Sequence, residues 1–150
     1  MTLGVAILGT GRIGGRYVDV VMNSPGAGAR VVAEPREEQV SDLKTRYPGV
    51  EFVADYKEIL GRDDIDIVIG TLPHWLHYQA GIDCVNAGKH VFLEKPMALS
   101  MAEGEEMLAA ATANGRLLMT AHTQRYYGEN VKMKEIIDSG ELGEVVMANA

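Results

Sequence analysis

From Gly4 to Ala121, short apolar runs alternate with stretches whose apolar residues recur at helical spacing. No other feature limits the possible folds as strongly. The strand-like runs are GVAILG (4–9), RVVAE (30–34), VEFV (50–53), DIDIVIGT (64–71), HVFLE (90–94) and RLLMTA (116–121). Between them, Ile13, Tyr17, Val20 and Val21 mark one helix face, and Val40, Leu43 and Tyr47 mark a second that stops at Pro48-Gly49. Asp55 suits the cap of a short helix, and Leu76, Ala80, Cys84 and Ala87 line a face that Gly88 closes. Ser100 and Glu103 form an S-x-x-E capping box for a helix ending at Asn114-Gly115. A last helix is expected over 129–139, and EVVMANA (144–150) reads as the start of another strand. Strand–helix alternation of this kind predicts an α/β, doubly wound, mostly parallel sheet with right-handed crossovers and helices on both faces. The expected strand order is 3-2-1-4-5-6.

Composition excludes several classes of function. The chain has 150 residues, enough for one domain with a real core. Its net charge of −7 argues against non-specific nucleic-acid binding, and an anionic ligand would have to be held by local groups. The single cysteine, Cys84, rules out a disulfide framework and suits a reducing, cytoplasmic setting. The apolar start, MTLGVAILGTG, lacks a basic leader and breaks at Gly9, so it reads as a strand, and no apolar run reaches membrane-spanning length.

GTGRIG (9–14) follows the first strand and opens the first helix, the context that gives G-x-G-x-x-G its meaning. Gly9 permits a tight turn, Gly11 lets a pyrophosphate approach the backbone, and Gly14 allows close helix–strand packing. Free N–H groups of the helix start, carried by Arg12, Ile13 and their neighbours, would face the phosphates. Glu34 ends the second strand twenty residues after Gly14, where an acid accepts hydrogen bonds from the adenosine ribose and repels a 2′-phosphate. This favours NAD over NADP. Arg36 pulls the other way, because an arginine there can pair with a 2′-phosphate.

The fifth strand ends on Glu94-Lys95-Pro96, an adjacent ion pair stiffened by proline. Ligands of open α/β sheets sit beyond the carboxyl ends of the strands, so these charges are expected in the site. A lysine there can polarise a substrate hydroxyl or relay its proton. The alternative is a surface pair of little energetic value.

AILGTGRIG together with TLPHWLH (71–77), AGKHVFLEKPMALS (87–100) and GELGEVVM (140–147) resembles the glucose–fructose oxidoreductase / inositol dehydrogenase (Gfo/Idh/MocA) family along essentially the whole chain. The resemblance implies an N-terminal Rossmann domain, here residues 1–121. Residues 122–150 would be the crossover helix and first strand leading into a C-terminal α/β substrate domain that this chain lacks. It further implies an NAD(P)-dependent oxidoreductase of sugars, inositols or related polyols, with a homo-oligomer formed through that missing domain. Lys95 corresponds to the lysine that contacts the substrate hydroxyl and helps proton transfer. Glu94 would lie by the nicotinamide riboside, and Pro96 would adjoin a hinge. Thr71, Leu72 and Pro73 would pass near the cofactor. His74 and His77 flank Trp75, where they either border the cofactor or pack the loop. With no third ligand in reach they do not read as a metal site. Arg125 matches the arginine of a G-x-x-x-R-[FY] element in which Ala121 replaces the glycine and Thr123 a common asparagine. His122 could face substrate or pack the loop.

The family's second domain supplies an Asp-x-x-x-His element. None of His74, His77, His90 or His122 has an aspartate four residues earlier. The 150-residue chain alone is therefore expected to bind cofactor without turnover. Two other readings remain: a dinucleotide-binding module that senses redox state, and a Rossmann protein for a methyl donor, which leaves the EKP segment without a role.

Overall fold

Val5 and Ile7 project to one side of strand β1 (Leu3–Leu8), Ala6 and Leu8 to the other, and all four are buried. A strand dry on both faces belongs inside a parallel sheet covered twice by helices. The computed structural model, which describes residues 2–149, has this architecture. With β2 (Ala27–Ala33), β3 (Glu51–Val53), β4 (Ile67–Gly70), β5 (His90–Leu93) and β6 (Leu118–Thr120), β1 forms a six-stranded sheet in the order β3-β2-β1-β4-β5-β6. Every pairing is parallel. One core joins Val5, Ile7, Val32 and Ile69 to helices α1 (Gly14–Met22) and α2 (Ser41–Arg46). The other joins Ala6, Leu8, Val68 and Leu93 to α3 (His77–Asn86) and α4 (Met101–Ala113).

Several boundaries differ from the sequence reading. β2 begins at Ala27 instead of residue 30, because Leu3–Val5 pair with Ala27–Ala29 and draw the glycine-rich segment into the ladder. Gly26, at φ 86°, makes the turn that allows this. In α1 the buried face is Gly14, Val18 and Val21, whereas Val20 faces solvent. The helix starts at Gly14, and the 3.6-residue period from that point selects 18 and 21. In α3 the inward residues are His77, Ala80, Gly81, Cys84 and Val85, and Leu76 lies outside in a 3₁₀ turn (His74–Leu76). Ser100 Oγ accepts the Glu103 N–H as expected. The Glu103 carboxylate, however, accepts from Leu99 N–H, one residue before the cap.

The largest departure is at the C-terminal end. Residues 144–149 form no strand, and Ala150 lies outside the described residues. A strand requires a partner, and none runs alongside this segment among the described residues. Helix α5 (Gly128–Asp138) forms, but no residue of it is buried, and the same holds for all of 122–149.

Candidate functional site

Because all six strands are parallel, their carboxyl ends share one edge of the sheet. Loops leaving β1, β4, β5 and β6 meet there. The β1 loop is braced from both sides: Gly9 N–H donates to Ala33 O at 2.8 Å, and Thr71 Oγ1 donates to Gly9 O at 2.7 Å. Gly9 adopts φ 84°, which favours glycine. A Cβ on Gly14 would stand 2.1 Å from Gly9 O and 2.6 Å from Thr71 Oγ1, so this glycine is required by packing. A Cβ on Gly11 would meet nothing within 4 Å, which leaves that backbone open to a ligand. Helix α1 has no side-chain cap and no acid in its first turn, so its leading N–H groups and dipole are available to an anion. These features fit a dinucleotide pyrophosphate.

A cleft of about 350 Å³ lies beside this loop, lined by Gly11, Arg12, Ile13, Thr71, Leu72, His74, Glu94 and Lys95. A second, of about 540 Å³, is lined by Lys95 and residues 121–125. Lys95 is common to both. Arg125 lies in the second cleft, on a 3₁₀ turn (Thr123–Tyr126), away from the glycine loop. Thus the structure gathers Gly11, Arg12, Ile13, Thr71, Leu72, His74, Glu94 and Lys95 in one place. Pro73 is exposed at the start of the 3₁₀ turn without lining the cleft.

Three expectations change. First, Glu94 and Lys95 do not pair with each other. Glu94 Oε1 accepts the Tyr17 hydroxyl at 2.8 Å and Oε2 accepts the Lys95 backbone N–H at 3.2 Å. Among the described residues no carboxylate pairs with Lys95 Nζ. Second, His77 cannot touch a cofactor in this arrangement. It is fully buried, with Nδ1 2.7 Å from Pro96 O and Nε2 2.9 Å from Leu72 O, and it ties the β4 loop to the EKP turn. The Lys95-Pro96 peptide in that turn is cis. Third, Glu34 is not a free acid at the strand end. Its side chain is 2% exposed. Oε2 accepts Thr10 N–H, Thr10 Oγ1–H and Arg36 Nη2–H, and Oε1 accepts Arg36 N–H and Nε–H, over 2.8–3.1 Å. Desolvation pushes this carboxyl up, but the Arg36 and Thr10 hydrogen bonds together outweigh it and hold the pKa at about 2. Arg36 covers Glu34 and remains half-exposed.

Sequence reasoning missed Thr10 and Tyr17 as parts of the site. Thr10 sits between two glycines of the motif, and Tyr17 reads in the sequence as an apolar helix position. No sequence pattern joins Tyr17 to Glu94 across 77 residues. Among the described residues no group of three or more His, Cys, Asp or Glu could hold a metal ion, and no helix is long and apolar enough to cross a membrane.

Residues 3–122 match the Gfo/Idh/MocA model, described as an oxidoreductase family with an NAD-binding Rossmann fold. The chain is 32% identical over 138 residues to 4-carboxy-2-hydroxymuconate-6-semialdehyde dehydrogenase of Sphingobium sp., covering 92% of this chain and 44% of that protein. It is also 32% identical over 148 residues to scyllo-inositol 2-dehydrogenase (NADP(+)) of Bacillus subtilis, covering 96% and 40% respectively. The crystal structure of myo-inositol 2-dehydrogenase from Lactobacillus plantarum superposes with a TM-score of 0.90 at 26% identity, over 97% of this chain and 44% of that one. The chain thus spans less than half the length of these relatives. The glycine loop, the strand order and a match over 3–122 agree, and the chain belongs to the Gfo/Idh/MocA family of oxidoreductases with an NAD-binding Rossmann fold.

Proposed function

We propose that the chain is the cofactor-binding portion of a dehydrogenase or reductase acting on CH–OH groups of a sugar, inositol or related polyol. In this reading Gly9–Gly14 would hold the pyrophosphate, and Glu94 and Lys95 would border the nicotinamide end. The observation that carries the reading is the position of Lys95, shared by the cleft of the glycine loop and the neighbouring one, with no acid paired to its Nζ among the described residues. The nicotinamide supplies the hydride acceptor or donor. Lys95, as a neutral amine, takes the hydroxyl proton as hydride leaves the carbinol carbon, and as an ammonium it returns that proton in the reverse direction. Arg12 and the α1 N-terminus hold the phosphates. His74 borders the nicotinamide side, and Arg125 and His122 border the substrate side. In an active protein containing this chain, Lys95→Met is expected to leave NADH binding within a few-fold and to lower kcat about a hundredfold. Near-normal kcat across the pH range would remove Lys95 from the mechanism.

The adenosine end is read by Glu34 and Arg36 together. A ribose diol reaches Glu34 Oε1 only if Arg36 turns away, and a 2′-phosphate is met by Arg36 if it turns outward. Both changes break the same ion pair, between the buried Glu34 carboxylate and the half-exposed Arg36 guanidinium, so its cost is common to the two cofactors. Because each cofactor finds one partner in that pair, NAD is expected to be preferred over NADP by less than about a hundredfold. Calorimetric titration of the chain with NADH and NADPH checks this. A ratio above about a hundred in either direction would contradict shared recognition.

A further inference from the structure

Helix α1 lies on one face of the sheet and the EKP turn at its carboxyl edge, and the two are joined by one side-chain hydrogen bond. Tyr17 is half-buried, with its ring edge-on to Phe92 of β5 at a centroid distance of 5.8 Å. Its hydroxyl donates to Glu94 Oε1 at 2.8 Å. Burial first, and the Glu94 carboxylate second, raise the phenol's pKa, so it stays a donor. The other Glu94 oxygen takes the Lys95 backbone N–H, and the Glu94 N–H itself donates to Gly70 O at 2.9 Å. The carboxylate is thus fixed at both oxygens beside a lysine whose ammonium it would otherwise attract.

We infer that Tyr17 is a positioning residue that holds the Glu94 carboxylate away from the Lys95 side chain, leaving Lys95 available to the two clefts it borders. A carboxylate freed from the phenol has an adjacent cation within reach, and the pairing would hold the Lys95 ammonium in a charge-assisted hydrogen bond. The inference rests on the proposed role of Lys95, but it can be tested without turnover, so the two can fail separately.

The test is competitive acylation of the 150-residue chain with N-acetoxysuccinimide at pH 8, with site-resolved rates read by peptide mass spectrometry and normalised to the exposed Lys57. Tyr17→Phe keeps the ring against Phe92 and removes only the hydroxyl. The Lys95 rate is expected to fall about threefold or more, the scale of a partly exposed ion pair. Tyr17→Phe/Glu94→Gln should restore it to near the wild-type rate, and Glu94→Gln alone should change it little. Loosening of the fold would instead raise the Lys95 rate. An unchanged or faster rate in Tyr17→Phe, or a decrease that Glu94→Gln does not reverse, would overturn the inference. If the labelling behaves as expected and Lys95→Met still turns over normally, Tyr17 positions Glu94 but Lys95 is not the proton carrier.

Discussion

Gly11 and Gly14 are three residues apart in one motif, yet they serve different purposes, and one pair of variants separates them. Gly14→Ala places a methyl group against the fixed carbonyl of Gly9 and should destabilise the chain by about 1–3 kcal/mol. Gly11→Ala enters open space, so it should leave Tm within a degree or two while weakening NADH binding at least about tenfold by blocking the pyrophosphate. Thermal melts with and without NADH distinguish the two, and equal loss of stability in both variants would contradict the assignment. Glu34 gives a second residue-level expectation. Its folded pKa of about 2 lies below its ordinary value of 4.5, so its contribution to stability is present above that value and is lost as pH falls toward 2. Wild type should therefore exceed Glu34→Gln in stability at pH 7, by no more than about 3 kcal/mol, with the gap closing between about pH 5 and pH 2. Denaturant titrations at several pH values measure it. The glycines were legible in the sequence because steric limits act on the backbone alone. The saturation of Glu34 was not, because it depends on how Thr10 and Arg36 fold around it.

At the scale of elements, apolar runs mark every strand of the sheet, most plainly the inner strands β1 and β4, which are buried on both faces, and least plainly the edge strands β3 and β6, which are only partly buried. Pairing decided the remaining boundaries. β2 lengthens toward Ala27 because β1 offers it partners, and 144–149 stays irregular because none runs beside it among the described residues. Helices divide in the same way. α3 buries five residues between the sheet and α4, including Cys84, whose thiol desolvation pushes up to about 12. α5 buries none, and an isolated helix of 11 residues is marginal in water. Hydrogen exchange should therefore show the amides of 128–138 exchanging at least about a hundredfold faster than those of 80–86. Cys84 should resist iodoacetamide in the native chain and react once urea unfolds it. Protection of α5 equal to that of α3 would mean that its exposed Val131, Met133 and Ile137 are covered in solution, for instance by a second copy.

Across the whole molecule the two sides of Lys95 are unequal. The side proposed for the cofactor is built from three loops of the sheet edge, braced by Thr71, Tyr17 and His77. The other side is made of residues 121–125, of which only Ala121 is buried. A polyol entering there would meet one wall and open water. Positioning can supply about 7–11 kcal/mol of a catalysed barrier, and one wall cannot supply it. The 150-residue chain is therefore expected to bind NADH through local groups alone, because its net charge of −7 gives the phosphates no long-range attraction. It is expected to reduce no NAD with myo-inositol, scyllo-inositol or glucose above the rate without protein. Fluorescence titration of NADH and absorbance at the NADH band check the two halves separately. Reduction of NAD at the stoichiometry of the chain, lost in Lys95→Met, would show that residues 121–125 and Lys95 already form a complete site. Failure to bind NADH at low salt would instead place the fault in the glycine loop, whose open Gly11 backbone carries the binding argument.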